Sequence, residues 1–230
     1  MLGLGDAEWE AVRLSLLVAS VATLVSLPLG IAVGVALARG RFWGRGALNV
    51  LVHLPLVLPP VVTGFVLLIL FGRRGVLGEF LADLGIVFAF RWTGAALAAA
   101  VMGFPLMVRA IRLAVEAVDT RFEEAAGSLG AGRIAQFALV TLPLAFPGII
   151  AGAVLGFAKA MGEFGATITF VSNIPGETRT LPSAIYTFLQ VPGAESAAIR
   201  LTIIAVLISV AALVASEILA ARAKRRVAGL

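Results

Sequence analysis

AVRLSLLVASVATLVSLPLGIAVGVALA, residues 11–38, contains one charge, Arg13. It exceeds the about 20 helical residues needed to cross a hydrocarbon layer roughly 30 Å thick. A membrane span is therefore expected here. Comparable runs follow at 47–71, 93–115, 133–157 and 198–221, the fourth staying fairly apolar as far as Val171. Lipid offers backbone N–H and C=O groups no partners, so each run is expected to be helical, and the alternating pattern of a membrane barrel is missing. The expected fold is therefore all-α: a polytopic membrane helical bundle of about five transmembrane helices. No fixed-period repeat or large hydrophilic insertion divides the chain, so one domain is expected over 1–230. Composition agrees. The chain is 60% hydrophobic and 13% charged, with a mean hydropathy of +1.06, whereas soluble domains are about half apolar.

Several functions are excluded at this level. Cysteine is absent and His53 is the single histidine, which removes disulfide frameworks, thiol catalysis and Cys/His zinc sites. His53 stands alone in an apolar run and reads as a packed or hydrogen-bonded side chain, not a catalyst. The net charge of +5 does not indicate a nucleic-acid partner, because the basic residues sit between apolar runs and not on a solvated, aromatic-lined face. They report topology instead. Arg39, Arg41 and Arg45, then Arg109, Arg112, Arg121 and Arg133, then Arg222, Lys224, Arg225 and Arg226 fall on one side, which is expected to face the cytoplasm. The other side mixes arginines with acids, and an odd number of spans places the N-terminus outside and the C-terminus inside. Asp6, Glu8 and Glu10 stand where a secretory signal would be positively charged, so the first run is read as a retained span.

Helix breakers interrupt the spans at Pro28, Pro55, Pro59, Pro60, Pro105, Pro143 and Pro147. Most such kinks are ordinary in membrane helices, but Pro59-Pro60 followed by Thr63-Gly64 suits a pathway lining or a moving gate. Lys159 and Glu163 lie four residues apart, on one helical face. Charges within a span face a bundle interior or a water-filled cavity, and both a structural pair and a gate role are open for these two. Thr167, Thr169, Ser172 and Asn173 follow, offering hydroxyl or amide donors to a passing oxyanion. Residues 181–191 are apolar but too short to cross. They either lie in the interface or re-enter the membrane.

The connection between the third and fourth spans reads DTRFEEAAGSLGAG, residues 119–132. Thr120 with Glu123 forms a capping box, so a short helix is expected from there, ending at Gly130 and Gly132. Such a helix is a suitable knob for a cytoplasmic partner, with Ala125 and Ala126 allowing close approach. Gly130-x-Gly132-x-x-Ala135 also matches a dinucleotide fingerprint, but the strand that must precede it is absent, and no phosphate-binding G-x-x-x-x-G-K-[ST] occurs. ATP hydrolysis by this chain is therefore not expected.

Glu124-Ala125-Ala126, three residues, Gly130, nine residues, then Val140-Thr141-Leu142-Pro143 resembles the EAA loop of ABC importer permeases, departing only by Val140 in place of Ile. A second likeness runs through Gly162-Glu163-Phe164-Gly165-Ala166-Thr167, Ile174-Pro175-Gly176-Glu177-Thr178 and Leu181-Pro182-Ser183-Ala184-Ile185-Tyr186. It resembles the molybdate permease subfamily in particular. The resemblance implies a coupling helix formed by Thr120, Glu123, Glu124, Ala125, Ala126, Gly127, Leu129 and Gly130, seated in an ATPase subunit. It implies a multi-pass protein of the bacterial inner membrane that pairs with a second copy of itself, with cytoplasmic ABC ATPases holding ATP and Mg, and with an extracytoplasmic molybdate-binding protein. No cofactor or metal would be bound by this chain. Molybdate, with tungstate possible, is the expected cargo, and sulfate or thiosulfate the alternative. From another class, a stand-alone secondary transporter is the rival, with Lys159 and Glu163 as a relay.

Overall fold

A computed structural model describes residues 4–227, so both ends of the domain expected over 1–230 lie outside the described residues. The chain forms α1 (Asp6–Arg39), α2 (Arg45–Val57), α3 (Pro60–Phe71), α4 (Val76–Asp83), α5 (Trp92–Glu116), α6 (Thr120–Ser128) and α7 (Arg133–Gln136). A π turn (Phe137–Thr141) leads into α8 (Leu142–Met161), followed by α9 (Gly165–Val171), α10 (Leu181–Leu189) and α11 (Glu195–Val227). No strand occurs among the described residues. Among the described residues four stretches are long and apolar enough to cross a membrane: α1, α5, the continuous run Arg133–Met161, and α11.

The second expected span is not one helix. α2 and α3 are separated by Leu58 and Pro59 and bent by 115°. Pro59 and Pro60 offer no N–H to the preceding turn, and each proline pushes the residue before it out of the helical region. Leu58 (ψ 143°) and Pro59 (ψ 134°) are accordingly extended. The pair still leads from one end of the bundle to the other. α2 is fixed at the α6 end, where Asn49 accepts from Arg112 at 3.0 Å, and α3 finishes at the opposite end with Phe71 edge-on to Phe88. The fourth span begins irregularly for a related reason. Pro143 has no N–H to give, and the widened turn before it lets Leu142 N–H reach Phe137 C=O instead.

α5 is the centre, packed by both α1 and α8, and Ala95, Ala98, Val108, Ile111 and Val115 on it are wholly buried. Glycines set the approach. A Cβ on Gly103 would stand 2.9 Å from the Gly156 carbonyl oxygen, one on Gly152 3.0 Å from that of Met107, and one on Gly34 2.8 Å from Ile111 Cγ2. Small residues let membrane helices meet backbone to backbone, where dispersion replaces the missing hydrophobic drive.

Polar ties close both ends. At the α6 end, Arg45 donates through Nε (3.0 Å) and Nη2 (2.6 Å) to the Leu37 carbonyl, satisfying one of the free carbonyls that end α1. At the opposite end, buried Glu8 pairs with Arg200 at 2.9 Å and joins α1 to α11. Residues 181–191 contain α10, which packs on α1 and α11 through buried Leu181, Ser183 and Ala184. Ser15 Oγ accepts from its first N–H at 2.6 Å.

The same substitution at two glycines tests this packing. Gly103→Ala should lower stability by about 1–3 kcal/mol through overpacking. Gly46→Ala, which enters open space, should stay within about 0.5 kcal/mol. Thermal unfolding of both purified variants in detergent measures the difference, and equal midpoints would contradict it.

Candidate functional site

Two places combine exposed or unusual polar chemistry with broken backbone. The first is α6. Its cap is Asp119, not the expected Thr120–Glu123 box: Asp119 is extended and its Oδ1 accepts from Arg121 N–H at 2.9 Å. Thr120 is already the first helical residue, and it is exposed. Glu123 is thereby released to face the bundle, where Oε1 accepts from Thr141 Oγ1 at 2.8 Å and pairs with Arg39 Nη2 at 3.2 Å. Arg39 also donates to the Val118 carbonyl at 2.6 Å. One carboxylate therefore ties α6 to the end of α1 and to the π turn that opens the fourth span.

The far end of α6 closes with paired bonds from Gly130 N–H to Gly127 C=O (2.9 Å) and Ala131 N–H to Ala126 C=O (3.0 Å). Gly130 has φ +91°, a conformation that costs an L-residue about 1–2 kcal/mol. Gly132, expected to share in this stop, is extended and instead begins α7. A side chain on Gly127 would meet Gln136 Nε2 at 2.8 Å, so α7 packs under this glycine. The outer face of α6 presents Thr120, Phe122, Glu124, Ala125 and Leu129. Phe122 is 59% and Leu129 89% exposed: two large apolar groups flanking one free carboxylate make a surface suited to a protein partner.

The second place is the contact of α3 with α9. Pro60 lies against Gly165, and Gly64 fits over Ala166 and Thr169 so closely that a Cβ would stand 2.9 Å from Thr169 Cβ. Lys159 Nζ is 2.7 Å from Glu163 Oε2, and Glu163 Oε1 accepts from Ala166 N–H at 2.9 Å. Glu163, buried in the break between α8 and α9, thus pairs with a lysine and caps the next helix together. Pro59 and Pro60 are exposed, Thr167 is buried, and Thr169 returns its hydroxyl to the Gly165 carbonyl at 2.9 Å. Thr63 Oγ1 is buried without a hydrogen-bond partner among the described residues. Asn173, expected as a free donor, is engaged with Thr187 (2.8 Å) and Arg179 (3.1 Å). His53 Nδ1 lies 2.8 Å from the Asn49 carbonyl, as a satisfied side chain. Among the described residues no three His, Asp or Glu side chains gather to hold a metal ion.

Residues 26–226 match the family described as binding-protein-dependent transport system inner membrane component. The chain belongs to this family. It is 60% identical to the molybdenum transport system permease protein ModB of Escherichia coli K12, over 97% of this chain and 98% of that one. The sulfate transport system permease protein CysT of Salmonella typhimurium is 38% identical over 78% of this chain and 65% of that one. Among solved structures, a bacterial ABC transporter involved in alginate import superposes with a TM-score of 0.72 at 18% identity, covering 97% of this chain and 81% of the other. At that identity the likeness speaks for the fold. The permease therefore carries its family's fold across the bent second span, and the loop that resembles an EAA motif is its α6.

Sequence reasoning placed Glu123 on α6 but missed its partners, Arg39 and Thr141, which no local pattern links to it. Glu163 was read as half of an ion pair, and its capping of α9 was not foreseen. The unequal burial of that pair generates a prediction. Lys159 is 28% exposed at its side chain and Glu163 1%, so the lysine reaches the surface of the chain while the carboxylate is enclosed by it. Lys159→Ala should leave a buried carboxylate and cost about 1–3 kcal/mol or more. The double variant Lys159→Ala, Glu163→Gln should recover part of this loss. A double variant as unstable as Lys159→Ala, in thermal unfolding, would show that relieving the carboxylate is not what matters.

Proposed function

We propose that this permease forms, with a second copy of itself, the transmembrane pathway of an ATP-driven molybdate importer. Tungstate, a tetrahedral dianion of the same kind, would share the path. The observation that carries the reading is α6: an exposed knob of Phe122, Glu124 and Leu129, rigidly tied through Glu123 to two spans. The strong identity to a molybdenum permease over nearly the whole chain, against the weaker and shorter match to a sulfate permease, favours molybdate over sulfate.

In this reading the chain is one membrane domain, and the α6 side, with Arg39, Arg41, Arg45, Arg121 and Arg133, faces the cytoplasm. The N-terminus then lies outside and the C-terminus inside. Two cytoplasmic ATPase subunits, which hold ATP and Mg, seat α6 in a groove, and an extracytoplasmic binding protein delivers the oxyanion to the other side. The permease itself contributes no hydrolysis. When the ATPases close, α6 moves as a body, because both of its ends are capped. Glu123 passes the displacement to Arg39 on α1 and to Thr141 in the π turn. The π turn, with its bonds already widened, is the point at which the fourth span adjusts without losing its backbone pairing. The displacement reaches Glu163 at the other end of α8 and, through α9, the Pro59-Pro60 break. Those breaks, with Thr63, Lys159, Thr167 and Thr169 around them, are the proposed gate, because two interrupted helices in contact open by rotation at little cost in hydrogen bonds.

Two α6 variants test the assignment. Glu124→Lys reverses the exposed charge, and Gly130→Val forces a β-branched residue to φ +91°. Both should insert and dimerise, yet lose capture of the ATPase and ATP-driven molybdate uptake in reconstituted vesicles. Full uptake by both variants would overturn the coupling role.

A further inference from the structure

Beside α6 lies a cavity of about 580 Å³, within the range of about 300–1,000 Å³ that encloses a drug-sized ligand. Arg39, Arg41, Arg133, Glu123, Gln136 and Thr141 line it. Glu123 is already paired with Arg39. Neither Arg41 nor Arg133 has an acidic partner among the described residues. The cavity thus keeps two uncompensated guanidinium groups, the donors best shaped for a phosphate oxygen pair, while the Thr141 hydroxyl and the Gln136 amide beside them already donate to Glu123 and to the Ala131 carbonyl.

Its level in the bundle identifies the source of such an anion. Arg39 ends α1 and Arg133 opens the run Arg133–Met161; both helices exceed the about 20 residues that cross the hydrocarbon layer, so their arginine-bearing ends reach the headgroup region or extend past it. Arg41 is followed by Phe42 and by Trp43, which is entirely exposed, the aromatic placement found at a membrane surface. The apolar part of the cavity lining is Val35 on α1 and Phe137 at the start of the π turn.

We infer that this cavity binds the phosphate group of an anionic phospholipid, held by Arg41 and Arg133, with the acyl chains leaving it past Val35 and Phe137. The site is independent of the cargo and needs only that the chain sit in a bilayer. A headgroup there lies against the Arg39–Glu123 pair that anchors α6, so the lipid would steady the anchor.

The test uses the full-length permease, purified alone and with its ATPase, in discs of phosphatidylcholine containing increasing phosphatidylglycerol. Lipid retention is read by native mass spectrometry, and stability by thermal unfolding. The wild type should retain phosphatidylglycerol in preference to phosphatidylcholine and gain stability from it. Arg41→Gln with Arg133→Gln should retain it about thirtyfold more weakly, the loss expected of two near-surface charges. Arg41→Lys with Arg133→Lys, which keeps the charge, should preserve most of the preference and show that the site still folds. Inorganic phosphate should displace the lipid only weakly; stabilisation by phosphate equal to that by the lipid would assign the site to a soluble anion and overturn the lipid assignment. Equal retention of the two lipids by the wild type, or equal phosphatidylglycerol retention by the wild type and the Gln variant, would overturn the site itself.

Discussion

The packing of α5 against α1 and α8 at glycine-level distances is the constraint on which the remaining structure depends. In a bilayer no hydrophobic force holds these helices together, so contact must come from backbones that approach closely. Gly103 over the Gly156 carbonyl, Gly152 over that of Met107 and Gly34 over Ile111 supply it. A rigid centre of this kind leaves α2 and α3 at its edge, whereas α9 buries Ala166, Phe170 and Val171 in the core. α2 and α3 accordingly bury few side chains, Val52 on the first and Thr63, Gly64 and Leu67 on the second.

Polar chemistry is concentrated at the joints between rigid pieces. Glu123 joins α6 to α1 and the π turn, Glu163 joins α8 to α9, and Glu8 joins α1 to α11. Each carboxylate has at least two partners, so each is satisfied where burial would otherwise penalise it. For a member of a transport family this division is mechanically useful. In the proposed mechanism rigid helices carry the displacement, and joints of a few hydrogen bonds are where it is released.

Much of the fold was legible because a bilayer imposes a length and a composition that few soluble helices meet. Four of the five expected runs are continuous, and the limits of α5 differ from those read from hydropathy by about one residue. Pro59-Pro60 was recognised as a breaker, but hydropathy averages across a bend and is blind to its angle. The cap of α6 was misplaced by one position, since Asp119 and Thr120 are both good capping residues and only backbone geometry separates them. What remained hidden was non-local. The side chain of Arg39 was read as a topology marker, Thr141 as an unspecified position between Val140 and Leu142, and their meeting at Glu123 depends on how α1 and the fourth span converge.

In the proposed mechanism, transport of a molybdate-class oxyanion depends on an ATPase working through α6. This dependence is tested most directly by co-reconstituting the wild-type permease with its ATPase and binding protein, and following labelled molybdate into vesicles loaded with ATP or with a non-hydrolysable analogue. The account predicts accumulation that requires hydrolysis, is competed by tungstate more strongly than by sulfate, and survives a protonophore. Accumulation that proceeds without ATP and collapses with the proton gradient would contradict it.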